Sequence, residues 1–204
     1  MSKFVAFEIP DLYPYVLLMT GATNFLCLIV GFMAGSKRRT IFDREFMKQF
    51  DKNLQGEEFT TAGAEVPAGG YPDMGNGLYG KELSYKDWYG FQLDQRAHKN
   101  FLEGLTIVSF CALIGGVTNP LLTLIFISLY FIGRILYTIG YRTSAKARII
   151  GAPLIMFVPI AMIITTIVGL SMTINSVNNT TSVADVAEEF ANAFADAIAN
   201  APNN

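Results

Sequence analysis

The stretch Gln95-Arg96-Ala97-His98-Lys99-Asn100-Phe101-Leu102-Glu103 puts charge where a bilayer rejects it, and its reading decides the fold. It heads an apolar run, Gly104 to Val117, which cannot cross a membrane alone because a spanning helix needs roughly 20 residues. The helix must therefore begin near Phe91 and carry its charges into the membrane boundary. Ionisable groups at that depth are costly, so they are expected to face the protein interior and to mark a functional site.

Working outward, three more apolar segments flank this one. The expected spans are residues 12–35, 91–117, 120–141 and 148–173, an all-α membrane protein whose protomer is a four-transmembrane-helix bundle. With 204 residues, 51% hydrophobic and 16% charged, the chain has the composition of a polytopic membrane protein. The first span is too long for a cleaved signal peptide, and its basic cluster Lys37-Arg38-Arg39 follows rather than precedes it. Residues 36–90 form a long first loop, polar and then rich in Gly and Pro, and connections of that length are usually functional or partner-bound. Asp87-Trp88-Tyr89 suits a membrane interface. Asn119 and Pro120 are read as the cap and first turn of the third helix, and Pro153 and Pro159 as bends in the fourth.

Four spans put both termini on one side. All of the 15 Lys and Arg except Lys3 fall in or beside the two segments of the opposite face, which marks that face as cytoplasmic, or as the matrix side of a mitochondrial membrane. Residues 175–204 are read as a polar tether followed by an acidic amphipathic C-terminal helix, with Val183, Val186, Phe190, Phe194 and Ile198 at helical spacing. Asn178-Asn179-Thr180-Thr181 holds two overlapping glycosylation acceptors, though an unmodified polar tether is the plainer reading. Cys27 and Cys111 sit in apolar runs and read as packing residues. A Gly-rich phosphate loop, a Cys/His metal set, a serine elbow and the basic stripe that nucleic acid requires are all missing from the sequence.

On the second helix Arg96, Asn100 and Glu103 stand at i, i+4 and i+7, a single face that Gln92 extends toward the loop. The third span repeats the device with Tyr130, Arg134, Tyr137 and Tyr141. Arg148 opens the fourth span and Arg38 and Arg39 close the first, so topology gathers all these groups near one membrane face. Several arginines, one carboxylate, an amide and phenols suit a small zwitterion with more than one carboxylate, since arginine pairs with carboxylates in a bidentate fork. The same spacing also fits an intramembrane Arg96–Glu103 ion pair with the tyrosines as interfacial packing. His98 reads as a hydrogen bonder facing another helix or the loop rather than as a general base.

These residues resemble a known family. QRAHKNFLE, followed after GGVTNP by GRILYTIGYRTSAKAR, is similar to the membrane-associated proteins in eicosanoid and glutathione metabolism (MAPEG), within them to the microsomal glutathione S-transferases of the type 2 and type 3 branch. The resemblance implies a homotrimer that binds glutathione as co-substrate in a cleft between protomers. It implies Arg96, Asn100, Glu103, Arg134, Tyr137 and Tyr141 as glutathione-binding groups. It further implies Arg148 as the group that stabilises the thiolate, and Arg38 or Arg39 as a first-helix arginine that binds glutathione or assists the second substrate. Gly104 stands where some members carry an aromatic residue.

Two functions are expected to compete. One is a membrane-bound glutathione transferase or peroxidase that acts on lipophilic electrophiles or lipid hydroperoxides, in the endoplasmic reticulum or a mitochondrial membrane. The other is an accessory subunit of a larger membrane complex, suggested by the long loop and the acidic tail.

Overall fold

The computed structural model describes residues 9–54, 65–180, 188 and 190–193, and among these no strand occurs. Four long helices dominate: α1 (Tyr13–Ile41), α4 (Tyr85–Thr118), α5 (Pro120–Thr143) and α6 (Ala152–Thr180), with the single turns α2 (Arg44–Met47) and α3 (Asp51–Leu54) between α1 and α4. All four long helices carry stretches apolar and long enough to cross a membrane. This is the expected all-α bundle, because in hydrocarbon only internal hydrogen bonds can satisfy the backbone.

The helix ends follow local chemistry. Ser84 caps α4, its Oγ accepting from the Asp87 N–H at 3.1 Å and donating to the Asp87 carboxylate at 2.7 Å, a reciprocal capping arrangement. Asn119 occupies the N-cap position of α5 ahead of Pro120, but its side chain makes no cap hydrogen bond to the helix. Four boundaries differ from the sequence reading. The first helix runs to Ile41 and takes in Lys37-Arg38-Arg39, which hydropathy alone places after the span. The charged helix α4 begins at Tyr85 rather than Phe91, because the Ser84 cap lies upstream of the apolar run. The fourth helix begins at Ala152, after a 3-10 turn over Ala147–Ile150 that carries Arg148. Pro153 consequently sits in the first turn, where its missing N–H costs nothing, and only Pro159 lies inside the helix. At the other end α6 continues through residues 174–180, which the hydropathy had assigned partly to a tether. Of the expected amphipathic tail only residue 188 and residues 190–193 are described; Phe190 is helical and exposed, whereas Val183, Val186, Phe194 and Ile198 lie outside the described residues.

α4 packs against α1, α5 and α6, and α5 also touches all three other long helices. Apolar attraction is weak inside a membrane, so such helices associate through close contact at small residues and through interhelical hydrogen bonds. A Cβ on Gly31 would stand 2.8 Å from His98 Cε1, and one on Gly133 would stand 2.5 Å from the Leu154 Cβ. Gly35, one helical turn on from Gly31, has nothing within 4 Å of that position. Cys27 and Cys111 are buried in the bundle core with Val30, Phe101, Val108 and Tyr130.

A second core lies at one end of the bundle. Phe42, Met47, Phe50, Val66 and Phe91 bury one another beneath the first loop, with Phe42 meeting Phe91 edge to face at 5.4 Å. Arg44 closes this unit, donating to the Val66 carbonyl at 2.8 Å and pairing with Asp51 at 2.9 Å. The long loop therefore folds back on its own chain.

Candidate functional site

The row on α4 and the stripe on α5 face each other across a polar cleft of about 510 Å³. From α4 it is lined by Arg96, Asn100 and Glu103, from α5 by Tyr137 and Tyr141, and from the 3-10 turn by Arg148. The Arg148 guanidinium lies 5.6 Å from the centre of the Tyr141 ring, and the two tyrosines stack with centroids 5.4 Å apart. The turn can approach α5 this closely because of Gly151, where a Cβ would strike the backbone nitrogen of Tyr137. Arg96 and Glu103 are both exposed and make no ion pair with each other.

Arg134 lies behind the cleft wall, 2% exposed. Its Nη1 donates to Asn100 Oδ1 at 2.8 Å, and its Nη2 donates to the Asn100 carbonyl at 3.0 Å and to the Tyr130 hydroxyl at 2.6 Å. The guanidinium also stands over the Phe101 ring at 4.7 Å. With its oxygen committed to Arg134, the Asn100 amide has its NH₂ donors left for the cleft. Gly104 makes room for this arrangement, since a Cβ there would come within 2.6 Å of both Arg134 Nη2 and the Tyr130 hydroxyl oxygen. An aromatic side chain at 104 is incompatible with Arg134 in this position.

An adjoining cavity of about 590 Å³ shares Asn100, Glu103, Tyr137 and Arg148 with the cleft and is completed by Arg134 and a mainly apolar wall of Ile149, Ile155, Met156 and Pro159. Arg148 therefore stands at the junction of a charged compartment and an apolar one. A separate apolar groove of about 520 Å³ between α1 and α5 includes Lys37 and the Asp94–Arg142 pair at its polar end, and shares no residue with the cleft.

The first-helix arginines are elsewhere. Arg38, 2% exposed, turns away from the cleft and donates from Nη1 to the Gly69 carbonyl at 2.8 Å and from Nη2 to the Asp73 carbonyl. It also stacks 4.3 Å from the centre of the Tyr71 ring, so both terminal nitrogens of its guanidinium are engaged by the loop. Arg39 is exposed near the end of α1, with no hydrogen bond or ion pair among the described residues. No side chain of α1 lines the cleft; the wall expected from it is supplied by Met74 and Asn76 of the loop. Trp88 donates from Nε1 to the Gly75 carbonyl at 2.8 Å. His98 faces α1 at Gly31, as a helix-facing residue should, but its Nδ1 has no hydrogen-bond partner.

Gln95 and Lys99 also line the cleft and were missed. The signal was present: with Gln92 and Glu103 they continue the three-to-four spacing of one helical stripe. Nothing local could have revealed Met74 and Asn76, which reach the cleft only through the folding of the loop.

The model of the MAPEG family matches residues 15–168. No curated protein matches the chain.

Proposed function

This chain belongs to the MAPEG family, and from that premise we propose that it is a membrane-bound glutathione transferase or peroxidase of the type 2 and type 3 branch. The observation that carries the reading is the position of Arg148, shared by a polar cleft and an apolar cavity. A hydrophilic thiol held on one side and a lipophilic electrophile on the other would meet at its guanidinium.

The residues fit glutathione. A cleft near 500 Å³ is of ligand size. Arg96, Lys99 and Arg148 can pair with its two carboxylates and sulfur anion, Glu103 can accept from its ammonium, and the Asn100 amide, fixed by Arg134, can donate to a peptide carbonyl. Glutathione would supply a thiol nucleophile. A free cysteine thiol has a pKa of about 8.5, so only a few per cent is thiolate near neutrality. Each unit by which Arg148 lowers that value corresponds to about 1.4 kcal/mol of preferential binding to the anion. The remaining requirement is exclusion of water, which the apolar wall of Ile149, Ile155 and Met156 serves.

In transfer, a carbon–sulfur bond forms as the electrophile's leaving group departs or as a proton adds to the product. With a hydroperoxide, two glutathione thiols are oxidised to the disulfide while the peroxide is reduced to alcohol and water. The exposed side of the cleft, where Arg96 and Glu103 meet solvent, is the side a neighbouring protomer of a homotrimer would cover. Arg39, exposed and without an ion pair among the described residues, is the first-helix arginine that such a neighbour could lend. The reading puts the cleft on the cytoplasmic face of the endoplasmic reticulum, with a mitochondrial membrane as the alternative.

Calorimetric titration of the purified protein in mild detergent with glutathione, followed by ultraviolet absorbance of the bound thiolate, tests this. Saturable binding with a thiolate signal is expected; absence of binding would remove the enzyme reading. A second reading, an accessory subunit of a larger membrane complex, rests on the helical residues 190–193, where Phe190 is 73% exposed. It predicts a stable particle many times the mass of a trimer on extraction.

A further inference from the structure

Residues 69–80 of the first loop are held far more firmly than a connector requires, and what they hold in place is the edge of the cleft. The Asp73 carboxylate is 8% exposed by residue and gathers four backbone N–H groups: Gly75, Asn76 and Gly77 on Oδ1 at 2.7, 3.1 and 2.8 Å, and Gly80 on Oδ2 at 2.7 Å. Arg38 ties the carbonyls of Gly69 and Asp73 to α1. Trp88 and Gln92 of α4 donate to the carbonyls of Gly75 and Met74, at 2.8 and 3.3 Å. Gly75 has φ +90 and a Cβ there would meet Gln92 and Phe91, so the backbone lies directly on α4 at a conformation that favours glycine.

The result is a rigid turn whose apex, Asn76, borders the cleft beside the α4 row. Its backbone N–H is consumed by Asp73, but its side-chain amide has no partner among the described residues and is exposed. The cleft's other edges supply cations, a carboxylate and phenols, which suit the charged ends of a peptide; its other neutral amides, Gln92, Gln95 and Asn100, all stand on α4, and Asn76 is the one that reaches it from the loop. A neutral amide, both donor and acceptor, is the group that pairs with a peptide bond.

We propose that residues 69–77 form a recognition element of the cleft, in which the Asn76 side-chain amide hydrogen-bonds a peptide group of bound glutathione and Arg38 is the positioning residue that holds the turn in place. This rests on the reading of the cleft as a glutathione site. It gives Arg38 an influence on binding without contact, through carbonyls 31 and 35 residues downstream.

The test titrates glutathione into the full-length protein, its Asn76→Ala variant and its Arg38→Lys variant, and records the emission of Trp88, the single tryptophan, as a reporter of loop docking. Asn76→Ala should bind glutathione roughly five- to tenfold more weakly, the loss of one hydrogen bond, with Trp88 emission unchanged. Arg38→Lys should weaken binding while shifting Trp88 emission toward that of a solvated indole, and adding Asn76→Ala to it should cost little more. Wild-type affinity in Asn76→Ala would overturn the inference alone, as would weaker binding accompanied by a displaced Trp88. If the unaltered protein binds no glutathione, the reading of the site itself fails and the inference with it.

Discussion

Arg134 grips Asn100 twice, through the side-chain oxygen at 2.8 Å and the main-chain carbonyl at 3.0 Å. A buried guanidinium thus sets which way an amide on the neighbouring helix faces. Lysine keeps the charge but not the fork. Each hydrogen bond to a charged group contributes about 1.5–3 kcal/mol, so Arg134→Lys should lower stability in detergent by about 2 kcal/mol and weaken glutathione binding as Asn100 is freed to turn. Thermal unfolding and a binding titration check this; wild-type behaviour in both would show that Asn100 is oriented by something else.

Gly151 holds the Arg148 turn against α5, where an added Cβ would meet backbone atoms of Tyr137 and Gly133 rather than side chains that can swing aside. Gly151→Ala should therefore destabilise by about 1–3 kcal/mol, the usual cost of overpacking. The thiolate signal should fall with it, because Arg148 is displaced. Retention of both would mean that the turn tolerates a shift.

Arg148 and Arg39 should separate by readout. Arg148→Ala is expected to return bound glutathione to a few per cent thiolate near neutral pH, seen as loss of the ultraviolet signal with binding still measurable. Arg39→Ala should leave the thiolate signal and reduce turnover or affinity only in the assembled oligomer. An unchanged thiolate in Arg148→Ala would exclude it from the chemistry.

The loop should carry an acid transition. Burial pushes the Asp73 carboxyl up, and the N–H groups of Gly80, Gly77 and Gly75 push it down further, so its pKa lies below the ordinary carboxylate range. A folded-state pKa below the unfolded value means that the stabilisation is fully present above about pH 4, the unfolded value, and is lost as pH falls through the folded one. Asp51 adds to the same trend, held down by its hydrogen bond from Arg44. Trp88 emission titrated from pH 7 downward should stay native to about pH 4 and change below it. Asp73→Asn should show a displaced signal already at pH 7. A native signal for that variant would mean that the Asp73 cage does not hold the loop.

What the sequence by itself determined is the bundle and one wall of the cleft. Hydropathy located the four helices because hydrocarbon leaves the backbone no alternative to a helix, and the spacing of Arg96, Asn100 and Glu103 put them on one stripe because helical geometry is local. Only the tertiary structure decided which arginines face the cleft and what closes its edge. Arg38 closes one apolar run and Arg148 opens another, each beside other cations, and no local pattern tells which of them faces the cleft. Contacts formed with Gly69 and Asp73, more than thirty residues away, turn Arg38 into the anchor of the loop. A close approach permitted by Gly151 brings Arg148 to the junction of the polar and apolar cavities. The loop's Asn76 came to the cleft in the same way, through a carboxylate and four backbone N–H groups whose pairing exists only once the turn has folded.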